Sequence, residues 1–233
     1  MLAKRKKISK KEIKEDKLIT YYSKALEFVE TYSKQLIIGI GVLAVIVAGT
    51  VIYQNKITSD NIAATTALSK IIPNYEQKNY QSAIEGQPGT DLIGLKSIAD
   101  NYGSSEQGEV AKLYLGNSYY YSGKYDEALK VYGDISGSQP SLSAAAFAGQ
   151  GACFEAKNDY EQAAKEYEKA AHVYKFNALN SSYLLHSGID YIKAKNYNAA
   201  KTVLNLVKKE YKTSQEAKEV DKYLDVVELK TMG

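Results

Sequence analysis

Five columns of residue type recur three times in the second half of this chain, and no other feature restricts its fold as much. The segments AKLYLGNSYYYSGKYDEALKVYGDI, AAFAGQGACFEAKNDYEQAAKEYEKA and SYLLHSGIDYIKAKNYNAAKTVLNLV align on Gly116, Gly151 and Gly188. Behind each glycine come Tyr119, Phe154 and Tyr191, then Tyr125, Tyr160 and Tyr197. Two further columns hold Ala128, Ala163 and Ala200, then Tyr132, Tyr167 and Leu204. Read from the numbering, the glycines stand 35 and 37 residues apart. A repeat of that length, with helical spacing inside it, describes two antiparallel helices per unit, stacked into an array. Small residues in the Gly and Ala columns let the paired helices approach, and large residues fill the space between hairpins. The Ser-Gly-Lys, Lys-Asn-Asp and Ala-Lys-Asn stretches mark the turn inside each hairpin. The units are placed at about residues 109–142, 144–177 and 181–214, with Pro140 closing the first.

The flanks continue the helical pattern. Asn79-Tyr80-Gln81-Ser82-Ala83 echoes the Tyr-x-x-Ala core of a second helix. Before it, Ile62 to Ile72 reads as a helix broken at Pro73, and Asp91 to Tyr102 reads as another. At the far end, residues 215–230 place Ala217, Val220, Leu224 and Val227 on one helix face, suited to cap the last hairpin. The expectation is an all-α chain, with a helical array over residues 56–230 behind an N-terminal membrane helix.

That membrane helix is read from Leu36 to Tyr53, LIIGIGVLAVIVAGTVIY, which carries no charge. As a helix it rises about 27 Å, close to the thickness of a bilayer's hydrocarbon core. Tyr32 and Tyr53 flank it, with Lys34 and Lys56 able to snorkel. Too many residues precede it for the n-region of a cleaved signal peptide. Residues 1–34 hold ten Lys or Arg against five acids, a net +5, so with the whole chain at +3 the remainder is −2. A basic excess on one flank keeps that flank in the cytoplasm and sends the array to the far side, as a single-pass protein. It also argues against nucleic-acid binding, which needs basic charge across the folded domain. Ala44 and Ala48 form a small-xxx-small pair able to pack on another membrane helix. Before the span, Leu18, Tyr22, Ala25, Leu26, Val29, Tyr32 and Leu36 follow helical spacing, one apolar face lying on lipid or a partner. The run Lys4 to Lys7 reads as a topology determinant attracted to anionic lipid.

Chemistry finds little footing. The two histidines, His172 and His186, lie in different units without carboxylate or Cys at metal-ligand spacing. Neither a phosphate-cradling glycine loop nor a nucleophile elbow occurs. Glu127, Glu161 and Glu166 sit one turn from Lys130, Lys165 and Lys169, which reads as solvated ion pairs. Cys153, the single cysteine, reads as a buried small hydrophobe, and Asn180-Ser181-Ser182 as a chance glycosylation sequon. The expectation is a non-enzyme without cofactor or metal.

The repeated columns resemble the tetratricopeptide repeat superfamily over roughly residues 109–214. That resemblance implies a groove lined by the first helix of each unit. Its positions would be Leu113, Asn117, Tyr120 and Tyr121, then Ala148, Ala152 and Glu155, then Leu185, Ile189 and Lys193. The family's carboxylate clamp pairs Lys with Asn. Asn117 matches, but Leu113 stands where the lysine would be, so extended or unfolded segments suit this tyrosine-rich groove better. The whole arrangement is similar to the YfgM-like proteins of the bacterial inner membrane. The resemblance rests on GLKSIADNYGSSEQGEVAKLYLGNSYYYSGKYDEALKVY and on the lead-in KEDKLITYYSKALEFVE. It implies an accessory subunit of the Sec translocon in the inner membrane, with a periplasmic domain. Its partners would be translocon components, a membrane-anchored periplasmic chaperone and emerging polypeptides, with homodimerisation open. The alternative is an envelope-assembly or division scaffold of the same architecture, and a more distant one is an enzyme built on a helical solenoid.

Overall fold

The structure is a computed structural model describing residues 10–135 and 139–232, with side chains from Lys17 onward. The basic run Lys4 to Lys7 lies outside the described residues. Among the described residues every regular element is an α-helix. In chain order they are α1 (Lys10–Glu76), α2 (Tyr80–Glu85), α3 (Leu95–Tyr102), α4 (Glu106–Tyr121) and α5 (Tyr125–Gly133). There follow α6 (Pro140–Ala156), α7 (Tyr160–Val173), α8 (Asn180–Lys193), α9 (Tyr197–Glu210) and α10 (Gln215–Thr231). Two compact units divide the chain, Met1–Lys56 and Ile57–Gly233.

The first unit holds the greater part of α1. That helix is long and apolar enough to cross a membrane, and none of its most apolar stretch is buried. Ile37, Ile40 and Val45 are all exposed.

The second unit is built of hairpins closed by one repeated turn. The residues Lys78, Gly123, Asn158 and Lys195 all adopt positive φ, between 61° and 74°. In each turn the next amide reaches back five residues: Asn79 to Asn74 O, Lys124 to Tyr119 O, Asp159 to Phe154 O and Asn196 to Tyr191 O, at 2.8–2.9 Å. This is the Schellman closure, which satisfies carbonyls that a helix end would leave orphaned. Its recurrence at Lys78 makes the end of α1 and α2 a fourth hairpin. The alanines three residues after the turn tyrosines, Ala83, Ala128, Ala163 and Ala200, are all fully buried.

The glycine columns explain how closely the hairpins pack. A Cβ on Gly116 or on Gly149 would each lie 2.5 Å from the Tyr132 ring, which is therefore held between α4 and α6. Tyr167 covers Gly151, and Leu204 covers Gly188, in the same way. The last large column thus packs on the first small one, within each hairpin. The core runs through the array: Leu68, Ile71, Ile84, Leu95 and Ile98 near its start, and Leu184, Leu204, Val207, Val220 and Val227 near its end.

Three local expectations are corrected. The helix expected to stop at Pro73 continues to Glu76: proline removes only its own amide donor, and the Pro73 carbonyl still accepts from Gln77 N at 3.0 Å. The helix expected from Asp91 begins at Leu95. Residues before it cross Gly86, bridging Gly86 to Ile93, and a Cβ on Gly94 would meet Ile84 O at 2.3 Å. Only glycine allows the two strands of chain to pass so closely. Pro140, finally, opens α6 at its first turn rather than closing the preceding unit.

Candidate protein-binding groove

The groove positions expected from the sequence occupy one face of α4, α6 and α8, and the structure divides them into two kinds. Leu113, Ala148, Ala152 and Ile189 are half-buried against the core, and Leu185 is buried within it. Their side chains serve packing first. Asn117, Tyr120, Tyr121, Glu155 and Lys193 carry the polar and aromatic character of the face.

Two regions result. Towards the start of the array, six tyrosine rings form a continuous run. Tyr114 meets Tyr75 at 5.0 Å, Tyr75 meets Tyr80 at 5.7 Å, and Tyr80 stacks on Tyr121 at 5.2 Å and 18°. Tyr121 meets Tyr120 at 5.3 Å, and Tyr120 meets Tyr125 at 5.7 Å. Offset and edge contacts at these separations are the geometries that aromatic quadrupoles favour. Tyr121 remains 58% exposed. Asn117 accepts a 2.6 Å hydrogen bond from the Tyr132 hydroxyl. It also lowers the pKa of the nearby Tyr75 hydroxyl, which burial above all pushes up. Tyr75 joins this ring run, and the sequence reading did not name it. It stands four residues beyond Ile71, as Tyr120 stands four beyond Gly116, so the register of the fourth hairpin carries the signal.

Towards the end of the array, charges meet. Lys193 of α8 donates to Glu155 of α6 at 2.5 Å and to Asp190 at 3.0 Å, while lying 5.0 Å from the Tyr160 ring centroid. The Tyr167 hydroxyl reaches the same Glu155 at 3.5 Å. Asp190 is buried, one of its oxygens lacks a partner, and burial raises its pKa to about 6 against the pull of Lys193. Glu155 and Lys193, both expected in the groove, are thereby brought into contact.

The remaining candidate chemistry resolves into structure. His186 stacks on Tyr167 at 5.1 Å, and His172 Nδ1 lies 2.6 Å from the Glu168 carbonyl oxygen of its own helix. Burial pushes the Cys153 thiol up to about 12, which leaves it a poor nucleophile at neutral pH. Asn180 is fully buried, donating to Tyr174 O at 2.8 Å, so the sequon asparagine is not presented. The expected solvated pair of Glu166 and Lys169 is half wrong: Glu166 is buried, and Gln162 bonds it at 2.7 Å beside Lys169 at 2.8 Å. A 360 Å³ cavity lies elsewhere, on the Ser143, Phe147 and Gln150 face of α6.

Comparison with known protein families finds a tetratricopeptide repeat at residues 110–141. That stretch takes in most of α4, all of α5 and the first two residues of α6. No curated protein matches the chain.

Proposed function

We propose that this protein is a membrane-anchored, non-enzymatic scaffold whose repeat domain holds extended polypeptide segments along the first-helix face. The observation that carries this reading is the six-ring tyrosine run, open to solvent at Tyr121. Stacked tyrosines give large contact area for little conformational entropy, and their hydroxyls bond whatever backbone lies across them. Such a surface is tolerant of sequence, as the handling of unfolded chains requires. Residues 36–53 would be the anchor, with a cytoplasmic N-terminus and a periplasmic domain, on the strength of the basic flank before the span. Work beside the Sec translocon and a periplasmic chaperone, on newly translocated proteins, rests on the YfgM-like resemblance of residues 14–30 and 94–132.

A photo-cross-linking amino acid at Tyr121 tests the groove, with one at the exposed Lys201 of α9 as control. Polypeptide adducts should form at Tyr121 and not at Lys201. Equal yields, or none, would remove the groove reading. Purification from cross-linked membranes tests the translocon assignment separately. Translocon or chaperone components must be enriched over a chain ending at residue 56.

A further inference from the structure

We infer that the stretch of α1 before the membrane span is a homotypic seam, through which a second copy of this chain packs in parallel. Within the first unit the helix runs from Lys17 through Tyr53 without a break. The segment therefore continues the axis of the apolar span instead of turning to lie flat on a bilayer. Yet half of its surface is apolar. Leu18, Tyr22, Ala25, Val29, Tyr32 and Leu36 alternate in steps of four and three residues, which is the spacing of a left-handed helix pair. Ile19, Tyr21, Leu26 and Phe28 widen that stripe on both sides. Tyr22 is 67% exposed and Val29 51% exposed in the single chain. Off the membrane and along the helix axis, such a face meets water unless another helix covers it.

Two observations favour a second copy as that helix. Lys24, Glu27, Glu30 and Lys34 all fall on the opposite half, with Thr20 and Ser23. Identical helices in register therefore meet without a like-charge pair along the seam. Ser33, which falls on the apolar half, turns its hydroxyl back to the Glu30 carbonyl at 3.3 Å. Ala25 provides a small layer between the bulky layers of Tyr22 and Val29, leaving room for the flanking aromatic rings of the opposing helix. The anchor reading, on which this inference rests, adds the register. Copies that enter the bilayer in one orientation present the same residues at the same height.

The test uses the full chain in native membranes. Single cysteines replace Ala25 or Val29 on the seam, and Glu27 or Lys34 on the polar half, and mild oxidation follows. Cys153 is buried and stays silent. Disulfide-linked dimers should form several-fold more readily at the seam positions. Ala25→Glu, combined with the Val29 cysteine, should abolish them while the chain resists alkaline extraction. Equal yields on both halves, no dimers, adducts only to a different protein, or quenching of a Val29 probe by brominated lipid would overturn the seam. Release of the chain by alkali would overturn the anchor, a result distinct from retention without seam cross-links.

Discussion

At the scale of single residues, the glycine columns differ in how much they forbid. Tyr132 is confined by Gly116 on one side and Gly149 on the other, so its ring cannot retreat from a new methyl group. Leu204, which covers Gly188, meets that position with the ends of a flexible side chain. Gly116→Ala should therefore cost about 1–3 kcal/mol, in the range for overpacking, and Gly188→Ala clearly less. Thermal unfolding of the two variants, side by side, checks the order. Asp190 sets a second residue-scale effect. Its folded pKa of about 6 stands above the model-compound value of 3.8. The group's contribution to stability is thus fully present below the lower value and is lost as pH rises through the upper one. Asp190→Asn removes the titration while Lys193 keeps Glu155. The variant's melting temperature should fall less than the parent's as pH is raised from about 4 to about 7. Parallel slopes would mean that the buried carboxyl titrates normally.

At the scale of elements, helix ends decide how the hairpins are joined. The start of α4 is held twice. Ser105 Oγ accepts from Gly108 N at 3.1 Å, and Asn61 Oδ1, from α1, accepts from Gln107 N at 2.8 Å. The second bond ties two helices 46 residues apart in sequence. Asn61→Ala leaves a helix N-terminal donor without its acceptor and should cost about 0.5–2 kcal/mol, whereas Asn61→Asp should retain the bond and gain from the positive helix end. Thermal melts of both variants distinguish loss of the cap from loss of side-chain volume. The turns show the same economy of means. A single backbone shape closes four hairpins with Lys, Gly, Asn and Lys at its left-handed position. That shape is strained for a lysine, so the repeated hydrogen bonds around it must hold it.

At the scale of the whole molecule, the hairpin array and the long apolar helix before it were both legible in the sequence, for a physical reason. A residue repeat is the direct record of one supersecondary unit stacked on itself, and an uncharged run of membrane length has few uses in water. The polar half of the candidate groove was less legible. Glu155 and Lys193 lie 38 residues apart, and their contact follows from how α6 and α8 each pack on α7, which spacing alone does not give. Tyr75 escaped because an inserted helix, α3, separates its hairpin from the next and shifts the register. The burial of Glu166 escaped because a Glu beside a Lys reads the same on a solvated face and in a polar core. Local periodicity therefore determined which residues form helices and where the hairpins turn, whereas the large column, expected to fill the space between hairpins, packs on the glycines within each one, with Tyr132 alone also reaching Gly149 of the next. Tertiary structure alone decided which polar groups share a partner across hairpins and which tyrosines join into one surface, because those relations depend on the distance and rotation between stacked units.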